Sequence, residues 1–359
     1  MRSNIALALV ATLGTLLTLE GALRFVDAVA AVDLFAAPNT PRAIRPHAAL
    51  DLADLVRPSA DKDLIYELRP GVRGRFIGAN VKIGAAGHRG RSRKRVDDGA
   101  IRLVGLGDSI VFGWGVPENA TFLAQLRRRF RNAHPEGTSL EVVNMGVPGY
   151  NTYQEVEAFL AQAPSLRPDV VVLFLCDNDD ELPNFIRKRN PYTLRRSYLA
   201  DLVTARLRGT APALERTSQR ARATRTWRTD DAALAPPAYR HMVGADAVER
   251  ALVRLAAYSD EHGIPIVYAG TGGDLDARVR PMAWRLGFVV VDDLAARVDA
   301  YLQGEGRDMA SLQVSISDPH PNRDGHALIA ASLYDAIAPL TPALGAHAAA
   351  RNSWYQAAR

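Results

Sequence analysis

The chain is poor in cysteine and in paired histidines, and both shortages exclude classes of site. Its one cysteine among 359 residues, Cys176, rules out an intrachain disulfide and a cysteine-rich zinc site. No two of its histidines combine metal-ligand spacing with suitable partners, so we expect no bound metal. The formal net charge of +5 is a mild excess that does not by itself indicate a nucleic-acid partner. With 48% hydrophobic and 23% charged residues, the composition is that of an ordinary globular protein.

The longest apolar run, Ile5–Leu19, lies near the amino terminus. At 1.5 Å per residue a helix over this run is about 22 Å long, short of the ~30 Å hydrocarbon core of a bilayer. Extending the helix to Val26 closes the gap if Glu20 and Arg24 pair one helical turn apart near the interface. We therefore expect residues 1–27 to anchor the chain in the cytoplasmic membrane, with the remainder outside, in the periplasm.

The alternative is a cleaved signal peptide, with Ala28-Val29-Ala30 as a small-residue cleavage site and a secreted mature protein. Under either interpretation, residues 28–100 form a tether and an amino-terminal extension. Leu64–Leu68 and Ala79–Ile83 are the expected short strands of this extension.

From residue 101 to residue 345 apolar runs alternate with helical patterns, which predicts a domain of the α/β class. We expect a doubly wound, flavodoxin-like parallel sheet of five strands flanked by helices, followed by a carboxyl-terminal tail over residues 346–359. The predicted strands are Ile101–Leu106, Leu140–Val143, Val170–Leu175, Ile264–Ala269 and Phe288–Val291. The predicted helices are Ala120–Ala133, Tyr153–Ala163, Ala245–His262 and Leu275–Leu286.

A basic insertion over residues 183–239 interrupts the alternation after the third strand. Between residues 187 and 228 it holds twelve arginine or lysine residues against two acidic residues. A solvated lid or loop is the simpler interpretation, and a patch that meets an anionic polysaccharide or lipid headgroups is the sharper one. The few aromatic residues between residues 187 and 228 (Tyr192, Tyr198, Trp227) do not suggest base stacking, so we expect no nucleic-acid partner.

The first predicted strand ends in the tight turn Gly107-Asp108-Ser109. A strand, an abrupt turn and a serine are how an α/β protein exposes a nucleophilic hydroxyl at the carboxyl edge of its sheet. Ser109, Gly146 and Asn178 follow the first, second and third predicted strands in turn. Because ligands of such sheets bind beyond the carboxyl ends of the strands, we expect these three residues to meet there.

A serine hydroxyl needs a base to become a nucleophile, and His320 is the candidate. Asp318, two residues before it, could accept the Nδ1 proton of His320 and hold the tautomer that presents Nε2 to Ser109. A developing oxyanion also needs hydrogen-bond donors, which could be the backbone N–H groups of Ser109 and Gly146 and the side-chain amide of Asn178. A plain turn glycine and a capping asparagine are the alternatives for the last two residues.

These residues resemble four sequence blocks of the SGNH (GDSL-type) hydrolases, a group of esterases, lipases and carbohydrate deacetylases. The resemblance covers about residues 101–339, and Tyr66–Pro70 and Gly87–Gly90 are similar to segments upstream of the core in membrane-tethered bacterial members. It implies Ser109 as nucleophile, His320 as base and Asp318 as the group that orients it, with Gly146 and Asn178 completing the oxyanion hole. It also implies that no metal or organic cofactor is needed. The blocks are Gly107-Asp108-Ser109, Asn144–Gly149, Asp177-Asn178-Asp179 and Asp318–Asn322.

The sequence therefore predicts a serine-dependent ester hydrolase that acts through an acyl-enzyme on acylated glycans or small acyl esters. An O-acyltransferase that modifies an extracytoplasmic polysaccharide and a non-catalytic binding protein of the same fold are the alternatives. Trp114 and Tyr150 follow two of the blocks, so they could line the substrate site, with plain packing as the other interpretation. The oligomeric state does not follow from the sequence.

Overall fold

A computed structural model of the chain divides it into two compact units. Residues 1–43 and 184–228 form the first unit, and residues 44–183 and 229–359 form the second. The described residues are 2–36, 49–50, 52–90, 100–134, 139–183, 197, 199–200, 203, 230–233, 235 and 237–357.

The secondary structure of the described residues is numbered in chain order. The strands are β1 Ala49–Leu50, β2 Val56–Pro58, β3 Tyr66–Leu68, β4 Arg73–Phe76, β5 Ala79–Lys82, β6 Ile101–Leu106, β7 Leu140–Asn144, β8 Val170–Leu175, β9 Ile266–Gly270, β10 Val289–Val290, β11 Gln313–Ser315 and β12 Asp318–Pro321. The helices are α1 Arg2–Ala36, α2 Leu52–Leu55, α3 Ser109–Phe112, α4 Phe122–Ala133, α5 Thr152–Leu166, α6 Ala245–His262, α7 Asp274–Arg285, α8 Leu294–Glu305, α9 Arg323–Ile337 and α10 Thr341–Ala357.

The centre of the second unit is a parallel sheet of β6 to β10, in the order β10-β9-β8-β6-β7. Counted within the sheet in chain order, this is the flavodoxin-like arrangement 2-1-3-4-5. The predicted doubly wound α/β fold is confirmed. Since β6 lies between β7 and β8, the loops that leave these three strands meet at one edge, where the strand order reverses.

Helices cover both faces of this sheet. As a result, β8 is buried at all six positions. On α4, the apolar side chains of Phe122, Leu126 and Phe130 recur every four residues and so share one face. They pack in the main core cluster with Ile329 and Leu333 of α9. Full burial of a side chain of this size stabilises the fold by about 1.5–3 kcal/mol.

Among the described residues, one helical stretch, Arg323–Ala349, is long and apolar enough to cross a membrane, and 39% of its apolar window is buried. It contains α9 and the start of α10. Ile337 and Leu344 of this stretch lie in the main core cluster. We therefore assign Arg323–Ala349 to the core of the second unit. The predicted carboxyl-terminal tail is helical as far as Ala357, as part of α10.

The amino-terminal extension, predicted with short strands, belongs to the second unit from residue 44 onward. β1, β4 and β5 form a three-stranded sheet, and β2 pairs with β3. A single β-bridge joins Arg89 to Asn144 at the end of β7, so the extension reaches the carboxyl edge of the central sheet.

The first unit contains α1, which includes the predicted span and continues to Ala36. Arg24 donates to Glu20 at 2.8 Å, one helical turn apart, as predicted. Several apolar side chains of this helix are exposed, namely Leu7, Val10, Leu13, Leu16, Leu17, Leu19 and Phe25. The arginine-rich part of the predicted insertion lies outside the described residues.

Candidate active site

The serine lies in a sharp turn between β6 and α3. A Cβ atom on Gly107 would lie 2.2 Å from Cγ2 of Val111 and 3.0 Å from the carbonyl oxygen of Phe174, so only glycine fits this turn. Asp108 then caps α3 by accepting a hydrogen bond from the N–H of Ile110 at 3.0 Å. Ser109 is the first residue of the helix and is 3% exposed.

A hairpin of β11 and β12 brings the imidazole to this serine. Nε2 of His320 lies 2.8 Å from Oγ of Ser109, and Nδ1 of His320 lies 2.5 Å from Oδ1 of Asp318. Because side chains two residues apart on a strand point to the same face, the Asp-x-His spacing places carboxylate and imidazole side by side. Asn322 fixes the end of the hairpin by donating its side-chain amide to the carbonyl of Ser311 at 2.7 Å.

The carboxylate of Asp318 is held in its ionised form. Burial by itself would raise its pKa, but the hydrogen bond and charge of His320 and a hydrogen bond from Trp114 outweigh burial and lower the pKa to about 2. An ionised carboxylate at Nδ1 fixes the tautomer of a neutral imidazole and stabilises a charged one.

The hydroxyl of Ser109 has two acceptors within hydrogen-bond distance. Oδ2 of Asp108 lies 2.9 Å from Oγ, and Nε2 of His320 lies 2.8 Å from it. A hydroxyl has one proton, so it donates to one of them at a time. Only the orientation toward His320 directs the hydroxyl proton to the imidazole.

The three predicted oxyanion donors differ in whether their protons are already used in hydrogen bonds. Within the described residues, the backbone N–H of Ser109 makes no hydrogen bond and is free to bind an anion. The side-chain amide of Asn178 donates one proton to Oδ2 of Asp108 at 3.2 Å, which leaves its second proton for a ligand.

Gly146 has a different role from the one predicted. Its N–H already donates to Oδ1 of Asn144 at 2.9 Å, so it is not available to an oxyanion while that bond lasts. A Cβ atom here would lie 2.1 Å from the backbone nitrogen of Phe112, so this glycine lets the β7 loop pack directly on α3. Gly149, in the same loop, has a φ of 81° and an N–H without a partner in the part of the chain that the structure describes.

Tyr150 and Trp114 are both interior residues. Tyr150 is 1% exposed, its hydroxyl donates to the carbonyl of Tyr66, and the two rings pack edge to face with centroids 5.1 Å apart. Plain packing is therefore the interpretation that the structure favours for Tyr150. Trp114 is 4% exposed and contacts His320 and Asp318 directly, rather than lining an open surface.

Arg89 is a residue of the site region whose role the sequence did not indicate. Its guanidinium is buried and donates to three carbonyl groups at the end of α3 and just after it, those of Phe112 (2.7 Å), Gly113 (2.6 Å) and Val116 (2.6 Å). Burial lowers its pKa to about 10, with an opposing effect from Glu118, so the group stays charged at neutral pH. Arg89 thus fixes the helix that carries Ser109.

Beneath the serine turn lies a cluster of buried acids. Glu155 is 3% exposed and Asp179 is fully buried, and neither oxygen of Glu155 has a hydrogen-bond partner among the described residues. Burial raises the pKa of Glu155 well above its usual value, and the charge of Asp108 raises it further. Burial and the charge of Glu155 raise the pKa of Asp179 in the same way.

Donor atoms of Asp108, Cys176 and Asp179 lie within 4.8 Å of one another. This set of three side chains nevertheless does not suit a metal ion. The thiol of Cys176 donates to Asp108 at 3.2 Å, and burial, with Asp108 next, raises its pKa well above its usual value. A neutral thiol is a poor ligand. The oxygens of Asp108 already accept hydrogen bonds from Ile110, Cys176 and Asn178, and a fourth when Ser109 turns its hydroxyl toward them.

Solved structures resemble the chain at low sequence identity. LAE5, an α/β hydrolase enzyme from the metagenome of Lake Arreo in Spain, is 17% identical, with 66% of this chain and 95% of that chain covered and a TM-score of 0.40. Axe2, an acetylxylan esterase from Geobacillus stearothermophilus, is 17% identical, with 66% of this chain and 94% of that chain covered and a TM-score of 0.39. The lipase/acylhydrolase from Enterococcus faecalis is 13% identical, with 66% of this chain and 95% of that chain covered and a TM-score of 0.38. No curated protein matches the chain.

The sequence profile of one family covers most of the second unit. It is the profile of the GDSL-like lipase/acylhydrolase family, and it matches residues 106–328, which is more than half of the chain. The match begins at the strand that precedes Ser109 and ends in the helix that follows His320. The chain therefore belongs to the GDSL-like lipase/acylhydrolase family, the SGNH hydrolases, and is an ester-hydrolysing enzyme.

Proposed function

We propose that the protein is a serine esterase that works through an acyl-enzyme, with Ser109 as nucleophile. His320 takes the hydroxyl proton as Ser109 attacks the ester carbonyl, and then gives it to the leaving alcohol. Water, activated by the same imidazole, releases the acyl group. The observation that carries this proposal is the continuous hydrogen-bonded chain from Oγ of Ser109 through His320 to Asp318, at 2.8 Å and 2.5 Å.

For the oxyanion we propose the backbone N–H of Ser109 and the side-chain amide of Asn178, with the N–H of Gly149 in place of that of Gly146. Each of these groups has a donor proton not used by the described residues, and all three belong to loops that leave β6, β8 and β7. Donors already in place when charge develops are worth about 3–4 kcal/mol each.

We propose a small acyl group on a glycan or another alcohol as the substrate class. Ser109 is 3% exposed, so the reacting carbonyl must reach it at the end of a slender group. A series of p-nitrophenyl esters from acetate to octanoate measures this preference, and we expect kcat/KM to fall as the chain lengthens. An added glycan acceptor separates hydrolysis from acyl transfer, because transfer gives an acylated glycan.

We also propose that α1 anchors the enzyme in the cytoplasmic membrane, with the catalytic unit in the periplasm. The exposed leucines of α1 support this location, as does a helix that continues unbroken past the alternative cleavage position at Ala28–Ala30. Full-length protein in the membrane fraction, resistant to carbonate extraction, is the expected result. A shortened, soluble mature protein would instead indicate a cleaved signal.

The reaction is tested with p-nitrophenyl acetate and Ser109→Ala. Loss of the nucleophile removes the acyl-enzyme route, so we expect turnover to fall by about 10⁴-fold or more. Ser165→Ala is the matched control, because Ser165 is exposed and lies on α5. Wild-type turnover in Ser109→Ala would contradict the proposal.

A further inference from the structure

We propose that Trp114 is a positioning residue for the reaction, one that holds both Asp318 and His320 in place for Ser109. This inference rests on the serine-esterase function proposed above. It concerns a side chain outside the four sequence blocks, in the segment Gly113-Trp114-Gly115 that follows α3.

The indole of Trp114 shares the carboxylate of Asp318 with the imidazole of His320. Nε1 of Trp114 donates to Oδ2 at 2.8 Å, while Nδ1 of His320 uses Oδ1 at 2.5 Å. Each carboxylate oxygen therefore has its own donor. The carboxylate cannot rotate away from His320 without breaking the bond to Trp114.

Trp114 also restrains the other two members of the triad. Its ring stacks on that of His320, with centroids 5.0 Å apart and an interplanar angle of 22°, which limits rotation of the imidazole. Its backbone N–H donates to the carbonyl of Ser109 at 2.9 Å. One residue thus contacts the nucleophile, the base and the acid.

The surroundings hold Trp114 in this position. Gly113 and Gly115, on either side, have φ values of 83° and 72°, a left-handed backbone that turns the indole toward the hairpin. The fully buried ring of Phe76, from β4, meets the indole edge to face with centroids 4.6 Å apart. The amino-terminal extension therefore supports the catalytic hairpin through Phe76 and Trp114.

Trp114→Phe keeps an aromatic ring and removes the N–H donor. Because Trp114 contacts His320 and Asp318 and is only 4% exposed, we expect kcat to fall about 10- to 100-fold with little change in KM. The acidic limb of the kcat/KM profile should move to higher pH, since a carboxylate that has lost one donor holds the protonated imidazole more strongly. Trp284→Phe is the matched control, because Trp284 is 55% exposed.

An unchanged kcat with an unchanged acidic limb would overturn the inference, and so would a loss confined to KM. Ser109→Ala, measured beside it, separates the two proposals. If Ser109→Ala is inactive and Trp114→Phe behaves as wild type, only the positioning role fails. If Ser109→Ala stays active, the serine-esterase function fails.

A second measurement does not depend on how well Trp114→Phe folds. The chain has four tryptophans, so ¹⁵N-indole labelling gives four side-chain N–H signals. In Asp318→Asn the acceptor of Trp114 becomes uncharged, and we expect one indole signal to move upfield while that of Trp284 stays. Four unchanged signals would overturn the inference.

Discussion

Two sets of acidic side chains lie near Ser109, and they differ in the groups that surround them. Asp318 is partly exposed and accepts hydrogen bonds from His320 and Trp114, and its pKa is lowered to about 2 by these donors against the effect of burial. Glu155 and Asp179 are buried beside Asp108, and burial, followed by the neighbouring carboxylates, raises the pKa of each.

The difference shows that hydrogen-bond donors, and not residue type, decide which acid near the nucleophile carries charge. A carboxylate with an imidazole and an indole as donors stays ionised and can stabilise an imidazolium. Carboxyl groups that share a buried site with other acids, without a nearby cation, favour the protonated form. We therefore propose Asp318, and not Glu155 or Asp179, as the acid that orients His320.

Among substitutions of these acids, the largest expected effect comes from Asp318→Asn. An amide at this position no longer fixes the reactive tautomer of His320, so we expect kcat/KM to fall by about 10³- to 10⁴-fold at neutral pH. Glu155→Gln should stay within about threefold of wild type, since Gln resembles the protonated acid. Equal losses in both variants would remove the distinction between the two sets of acids.

Arg89→Ala tests the contrasting case of a buried charge whose two terminal nitrogens are hydrogen-bonded. Three carbonyl groups around α3 lose their donor, so we expect the free energy of unfolding to fall by about 3 kcal/mol, measured by urea denaturation. Arg75→Ala is the control, because Arg75 is exposed and its guanidinium donates to the carbonyl of Gly78 at 3.0 Å. A stable Arg89→Ala would mean that water replaces the guanidinium without cost.

His326 extends the comparison to a buried base. Burial, with the charges of Arg89 and His320, lowers its pKa from 6.5 to about 3. Between these two pH values the unfolded chain binds the extra proton, so acid should destabilise the fold by up to about 1.4 kcal/mol per pH unit. In His326→Gln this part of the slope between pH 6 and pH 4 should disappear, and it should persist in the exposed-site control His262→Gln. Equal slopes in the two variants would contradict the account.

The smallest effect is expected in the pH dependence of Glu155→Gln. A carboxyl group whose pKa is raised by folding contributes its stability below its unfolded pKa and loses it as the pH rises through the folded value. Urea denaturation between pH 5 and pH 9 should therefore show a shallower loss of stability with rising pH in Glu155→Gln than in wild type. An equal loss of stability in the two proteins would mean that Glu155 is ionised in the folded protein across this pH range.

The core strands were predicted to within two residues, because strands buried on both faces are continuous apolar runs between turn signals. The meeting of Ser109 with His320 also followed from the sequence, as both fit one reaction and one sheet edge. The sequence could not show that the N–H of Gly146 donates to the side chain of Asn144, because that hydrogen bond depends on the rotamer of Asn144.

The burial of Arg89 and the contacts of Trp114 could not be predicted from the sequence for a different reason. Arg89 is the first of several basic residues in the sequence between positions 89 and 95, and nothing in that stretch separates a buried guanidinium from an exposed one. Its burial depends on contacts with Phe112 and Val116, more than twenty residues away along the chain. The role of Trp114 depends in the same way on the hairpin that carries Asp318.

The most direct test of the central claim is to label the purified, folded protein with a fluorophosphonate and locate the adduct by mass spectrometry. The account predicts one adduct, on the oxygen of Ser109, that is absent from Ser109→Ala and forms much more slowly in His320→Ala. An adduct on another residue, or equal labelling of wild type and His320→Ala, would contradict it.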